Sequence, residues 1–176
     1  MKRYILTGTP GCGKTSLISA LADKGYEVIH EAATDVIAVE QDKGNAEPWT
    51  KPSFIDEIIK LQHQRQKEVE ISDTKLQFFD RSPVCTYALA VYLGYQPSSA
   101  LLEEIDRVKT IYENKVFFIE NLGFCEPTAA RKISFEEALK FEKIHEEAYA
   151  KFGYECVKIP AKPLIERVAI ILGAIQ

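Results

Sequence analysis

Four cysteines in 176 residues, none of them in a C-x-x-C pair, leave this chain without the spacing of a zinc site or a disulfide framework. Cys12, Cys85, Cys125 and Cys156 are read as free thiols. Basic charge is not in excess either. The 22 Lys and Arg stand against 26 Asp and Glu, a formal net charge of −4, and they do not collect on one face. Neither nucleic acid nor a membrane surface is expected as a partner. No apolar run approaches the roughly twenty residues that span a bilayer, and a strand begins by about the third residue. Neither an anchor nor a leader is expected, and the chain is expected in the cytoplasm. Repeats, low-complexity tracts and linkers are also missing, so residues 1–176, with 46% hydrophobic content, read as a single domain.

What is present begins at the N-terminus. Gly8-Thr9-Pro10-Gly11-Cys12-Gly13-Lys14-Thr15 fits G-x-x-x-x-G-K-[ST], directly after the apolar Tyr4, Ile5 and Leu6. Leu17, Ile18 and Leu21 then fall at helical spacing. Strand, loop and helix in that order make a phosphate-binding loop, because the glycines allow successive N–H groups to turn inward at a helix N-terminus. The nucleotide-binding set is Gly8, Gly11, Cys12, Gly13, Lys14, Thr15 and Ser16. Lys14 is expected on the β- and γ-phosphates of ATP and Thr15 on Mg²⁺. A thiolate at Cys12 would be favoured near the helix N-terminus, where its oxidation would block the site. A small side chain filling the loop is the simpler reading.

Tyr26 to His30 is a second short strand, with Glu31 at its carboxyl end. Sites of open α/β sheets lie outside the carboxyl ends of strands, so Glu31 and Asp35, one helical turn apart, are site candidates. First-turn acids suited to a helix dipole are the alternative. The turn-rich stretch from Gln41 to Pro52 carries Trp49, which either caps the core or stacks on a ligand. A helix starts at Ser53 through Phe54, Ile55, Ile58, Ile59 and Leu61, and its pattern dissolves at Gln62 to Lys67. There Gln62, Arg65 or Gln66 serves either a polar ligand or a solvated face.

Lys75 to Asp80 is a third strand, ending in Asp80-Arg81. An apolar strand that ends in aspartate, in a chain with a phosphate loop, supplies the second magnesium-binding carboxylate. Ser82 and Pro83 open the next helix, and Ser98 to Tyr112 is another. Lys115 to Ile119 is a fourth strand. A long connection follows at about 121–133, expected as a lid that carries Arg131 and Lys132. Ser134 and Glu137 make a capping box for a helix to about Phe152; Tyr154 to Ile159 is the fifth strand, and Pro163 starts the last helix.

Strands that alternate with helices predict an α/β fold with a five-stranded parallel sheet flanked by helices. The expected order is 2-3-1-4-5, which sets Asp80 beside the phosphate loop. The phosphate loop, Glu31, the Phe-Phe-Asp80-Arg81 strand end, Arg131 and the stretch from Tyr149 to Arg167 together resemble the NadR-like P-loop family, which includes ribosylnicotinamide kinase domains and relatives classed as AAA-type ATPases. The resemblance implies the sheet of P-loop kinases rather than that of motor ATPases. It also implies ATP and Mg²⁺ contacts for Lys14 and Thr15, an acidic partner in Asp80, a substrate-contacting Arg81 and a lid arginine in Arg131. The adenylyltransferase domain of full-length NadR proteins has no counterpart in this sequence.

The expected function is a small-molecule kinase that passes the γ-phosphoryl of ATP to a nucleoside-like hydroxyl acceptor, with Lys14, Glu31, Asp80, Arg81 and Arg131 as its catalytic set and Thr15 and Asp80 as metal ligands. The alternatives are an ATPase or switch that binds a protein, a nucleoside monophosphate kinase, and a purely structural nucleotide binder. A guanine-specific switch is disfavoured, since Asp80-Arg-Ser-Pro83 is not D-x-x-G and Asn114-Lys-Val-Phe117 lacks the aspartate of N-K-x-D. A motor is disfavoured because the third strand ends Asp80-Arg81 rather than Asp-Glu. A phosphorylated acceptor calls for several Arg or Lys, whereas the region from Glu31 to Asp80 offers two acids, Glu31 and Asp35, and Arg65 as its internal arginine. An uncharged hydroxyl, oriented and deprotonated by Glu31, fits better. Oligomeric state is not set by any of these features.

Overall fold

The computed structural model describes residues 1–123 and 134–175. Five parallel strands, β1 (Lys2–Thr7), β2 (Glu27–Ile29), β3 (Leu76–Asp80), β4 (Lys115–Ile119) and β5 (Glu155–Ile159), form one sheet in the order β2-β3-β1-β4-β5. This is the expected P-loop architecture. The helices are α1 (Lys14–Asp23), α2 (Ala33–Asp42), α3 (Ser53–Glu68), α4 (Pro83–Tyr92), α5 (Ser99–Val108), α6 (Phe135–Lys151) and α7 (Leu164–Ala174), with a 3₁₀ turn at Pro48–Thr50.

Strands covered on both faces must be apolar on both, which is why β1, β3 and β4 read as continuous hydrophobic runs. Tyr4, Leu6, Phe78, Phe117 and Ile119 pack against Leu17, Ile18 and Leu21 of α1 and Val168 and Ile171 of α7. Ile5, Phe79 and Val116 point the other way, onto Val84, Leu101, Ile105, Phe141 and Tyr149. Each such side chain withdrawn from water contributes about 1.5–3 kcal/mol. A smaller cluster of Ala32, Val36, Phe54 and Ile58, with Trp49 against it, ties α2, α3 and the 3₁₀ turn together.

Some boundaries differ from the expected ones. β2 is a three-residue strand, Glu27–Ile29, at the sheet edge. The helix at Ser53 runs through the polar stretch to Glu68, where Gln62, His63 and Gln66 bind neighbouring helices. Thr86 Oγ1 donates to Gln62 Oε1 (3.0 Å), His63 Nδ1 lies 3.0 Å from Glu104 Oε2, and Arg107 Nη1 donates to Gln66 Oε1 (2.7 Å). The helix at Ser98 ends at Val108, not Tyr112; the chain turns there and Tyr112 sets its ring edge-on to Phe79 at 4.9 Å. Local capping is as read, with Ser82 Oγ accepting from Val84 N and Ser134 completing the capping box with Glu137. Cys12, Cys85 and Cys156 are free thiols, and Cys125 lies outside the described residues. Among the described residues no helix is long and apolar enough to cross a membrane.

Candidate active site

The register of β1 against β3 sets Leu6 opposite Asp80, and Arg81 N donates to Leu6 O (2.9 Å). The phosphate loop and Asp80-Arg81 therefore leave the sheet side by side at its carboxyl edge. Gly8 (φ +145°) cannot be anything larger, since a Cβ would lie 2.6 Å from the Ile119 carbonyl oxygen and 2.9 Å from Cys12 Sγ. Gly13 (φ +75°) occupies the position before α1 without a side-chain cap, and no acid stands in the first turn. The leading N–H groups of α1 are thus left for a ligand, and with the helix dipole they make an anion site. Cys12 is buried against Gly8, in keeping with a side chain that fills the loop. Thr15 and Ser16 are exposed on the first turn of α1.

Lys14 is enclosed rather than exposed, and its Nζ lies 3.1 Å from Asp80 Oδ1. Arg81 is the described non-glycine residue with positive φ, 75°. A left-handed backbone costs an arginine about 1–2 kcal/mol, and the turn uses it to swing the guanidinium back over the loop. Arg81 Nε donates to Glu31 Oε2 (2.6 Å) and Nη1 to the Gly8 carbonyl (3.1 Å). Burial opposes the guanidinium charge most strongly, but the Glu31 carboxylate, Cys85 and Asp80 together outweigh it and hold Arg81 above its ordinary range. Thr34 Oγ1 donates to the other oxygen of Glu31.

Four of the residues singled out in the sequence, Lys14, Asp80, Arg81 and Glu31, meet at this edge. Asp35 does not join them. It is exposed and paired with Arg65, whose Nη1 also donates to the carbonyls of His30 (2.9 Å) and Glu31 (2.5 Å). Arg65 thus supports the backbone that presents Glu31. Gln66 is buried away from the site, donating to Glu70 and accepting from Arg107. Arg131, and the expected lid from residue 124 onward, lie outside the described residues.

Beside the Arg81–Glu31 pair opens a cavity of about 180 Å³. Trp49, Phe54, Ile58 and Phe141 wall it, Gln62 contributes an amide, and Pro10 of the phosphate loop forms part of its rim. Trp49 is held there by its own carbonyl, which accepts from Tyr95 OH (2.7 Å). The wall is apolar, and the polar groups sit toward the phosphate loop and at one amide, which suits a flat ring with a hydroxyl at one end.

The model of a family described as an AAA domain matches residues 3–167, nearly the whole chain. The chain belongs to this family. Within the AAA domain family it keeps the sheet order described above, with β3 directly beside β1. No curated protein matches the chain. Among solved structures it resembles deoxyadenosine kinase from M. mycoides with the products dCMP and a flexible dCDP bound, at TM-score 0.63 and 14% identity. The same kinase with dATP gives 0.57 and 13%, and with dCTP 0.61 and 14%. Each covers 98% of both chains. At these identities the likeness shows the fold.

Two buried polar residues of this AAA domain were given no role from the sequence, where Arg167 appears only as the end of the stretch that carries the resemblance. His145 is fully enclosed on α6, its Nδ1 bonded to the Phe141 carbonyl (2.9 Å). Burial first, then the positive charges of Arg81 and Lys14, push its pKa down to about 3, so the ring is neutral. Arg167 on α7 is buried against the phosphate loop, and burial lowers its pKa. The signal for both was present: each falls on the apolar stripe of its helix, His145 four residues from Phe141 and Tyr149, and Arg167 in step with Leu164, Val168 and Ile171.

Proposed function

We propose that the chain is an ATP-dependent phosphotransferase that moves the γ-phosphoryl of ATP to a hydroxyl of an uncharged, nucleoside-like acceptor. The observation that carries this reading is the Arg81–Glu31 pair, 2.6 Å apart, set between the phosphate loop and the apolar cavity. An acceptor ring stacked between Trp49, Phe54 and Phe141 would direct its hydroxyl at Glu31 and its polar edge at Gln62. Glu31 orients the hydroxyl and takes its proton as the new O–P bond forms and the bond to the β-phosphate oxygen breaks, leaving ADP. Arg81, tied to the Gly8 carbonyl, sits where it can touch both the acceptor oxygen and the transferring group. Arg81 is also the one cation among the described residues that line the cavity. A monophosphate, which needs several such groups, would find no other partner among them. The fold shared with deoxyadenosine kinase structures that hold dCMP, dATP or dCTP supports an acceptor of nucleoside class. The NadR-like resemblance adds a ribosylated base such as ribosylnicotinamide to that class.

Thr15 and Asp80 would hold Mg²⁺. A hydroxyl and a carboxylate are hard oxygen donors, and so few protein ligands fit a cation held mainly by phosphate oxygens and water. Among the described residues no cluster of three His, Cys, Asp or Glu would hold a metal by itself. When bound, the ion supplies charge neutralisation at the β- and γ-phosphates. Residues 121–133 would close over the donor, with Arg131 adding charge as transfer proceeds. A cytoplasmic, ATP-rich setting fits this reaction.

Steady-state transfer from Mg-ATP to a panel of nucleosides and their monophosphates tests the reading. Nucleosides should be phosphorylated and monophosphates not, and Glu31→Gln should lower kcat by about 10²- to 10⁴-fold while ATP affinity holds. Faster transfer to a monophosphate, or an unimpaired Glu31→Gln enzyme, would refute it.

A further inference from the structure

Three cations gather at the site, and two of them face a carboxylate: buried Lys14 faces Asp80 at 3.1 Å and partly buried Arg81 faces Glu31 at 2.6 Å. The third is Arg167, which is 3% exposed. Its partners among the described residues are main-chain oxygens, with Nη2 donating to Cys12 O (2.8 Å) and Glu120 O (3.4 Å), while its Nε has no partner. A cation enclosed without an acid is a costly arrangement, and it persists where something else supplies the negative charge.

The geometry also fixes a peptide. In a trans peptide the C=O and the following N–H point in opposite directions. Arg167 holds the Cys12 carbonyl on its own side, so the N–H of Gly13 points away from the guanidinium. Gly13 lies close enough to the guanidinium that a Cβ there would sit 3.0 Å from Nη1, and its φ of +75° favours glycine at this position. The second carbonyl, that of Glu120, follows β4 directly. One side chain thus joins the phosphate loop, the end of β4 and the first turn of α7.

We propose that Arg167 is a positioning residue of the donor site: it aims the Gly13 N–H at the donor's polyphosphate, whose negative charge in turn compensates the guanidinium. The proposal rests on reading the loop as an ATP site and not on the nature of the acceptor. It assigns to α7, the last element of the chain, a part in binding ATP that is separate from the acceptor cavity, since Arg167 does not line that cavity.

Calorimetric titration of the full chain with Mg-ATP, alongside thermal unfolding without nucleotide, tests it in Arg167→Gln and Arg167→Lys. Gln keeps an amide donor for the Cys12 carbonyl without the charge, and Lys keeps the charge without the fork. Losing a charged hydrogen-bond donor should weaken Mg-ATP binding by about tenfold or more in Arg167→Gln, with Arg167→Lys between it and wild type. The Tm of the nucleotide-free Gln variant should fall little, because the charge that has gone faces no acid among the described residues, and KM for ATP should rise while KM for the acceptor stays. A Gln variant that binds Mg-ATP as wild type does, or one that loses Tm without losing affinity, would reduce Arg167 to a structural clip and overturn the proposal. Wild-type protein that ignores Mg-ATP would instead overturn the ATP site itself. ATP binding without any phosphorylated acceptor would overturn the kinase reading and leave the test of Arg167 standing.

Discussion

Lys14 is locked against Asp80 inside the protein, and this alters what its removal does. From the sequence the ammonium was expected to face phosphate with no role in the fold. In the structure both side chains are almost fully buried, so Lys14→Ala strands a carboxylate without its partner. Removing one member of a buried pair costs about 3–5 kcal/mol. The variant should therefore lose that much in urea-unfolding stability as well as about 10²-fold or more in turnover. Unchanged stability with lost turnover would mean that Asp80 finds solvent on its own. His145 gives a second test, through pH. Its folded-state pKa is about 3, against about 6.5 in an unfolded chain. The unfolded chain thus takes up a proton that the folded one refuses. The stabilisation is complete above pH 6.5 and is lost as pH falls toward 3, by up to about 1.4 kcal/mol per pH unit. His145→Gln should flatten the plot of urea midpoint against pH across that window, and an unaltered slope would assign the acid loss to carboxylates.

At the level of elements, the start of α4 is where three parts of the chain meet. Ser82 Oγ accepts from Val84 N and lies 2.8 Å from Tyr149 OH of α6; Tyr149 OH and Thr7 Oγ1 of β1 each lie 3.0 Å from Cys85 Sγ. Ser82→Ala should cost about 1–2 kcal/mol as a lost cap, and Tyr149→Phe about 1 kcal/mol. The double variant should cost less than the sum by about 0.5 kcal/mol or more, since both remove the same bond; strict additivity would show that the cap and the bridge act independently. The cap was legible in the sequence and the bridge was not. Capping obeys rules that span a few residues, as at Ser82 and Ser134, and so do the glycines that close α1 and α4. The strand order was legible through the resemblance to P-loop kinases, which implies that the strand ending in Asp80 lies directly beside the phosphate-loop strand. Contacts between distant elements leave no such trace. Nothing in the spacing of Asp35 and Arg65 announces their pairing, and the polar run from Gln62 read as a ligand site or a solvated face because its partners, Thr86, Glu104 and Arg107, lie far along the chain.

For the molecule as a whole, folding and ligand binding are linked. A ligand that binds the folded chain alone, at about one hundred times its Kd, adds about 2.7 kcal/mol. For a chain of this length that is a rise in Tm of about 5–10 °C. Mg-ATP should produce it in thermal denaturation, and a nucleoside acceptor should add to it, because the phosphate loop and the cavity share only Pro10. A chain whose Tm ignores Mg-ATP would have no working donor site. The proposed donor site would bind phosphate through main-chain N–H groups, which change little when side chains are exchanged. The cavity proposed for the acceptor is lined by side chains such as Trp49, Ile58 and Leu89, drawn from the 3₁₀ turn, α3 and α4. One half of the machine is therefore inherited with the fold, while the other is open to drift. A lineage built on this chain can be recruited to new acceptors by repainting one wall, without ever having to reinvent its fuel supply.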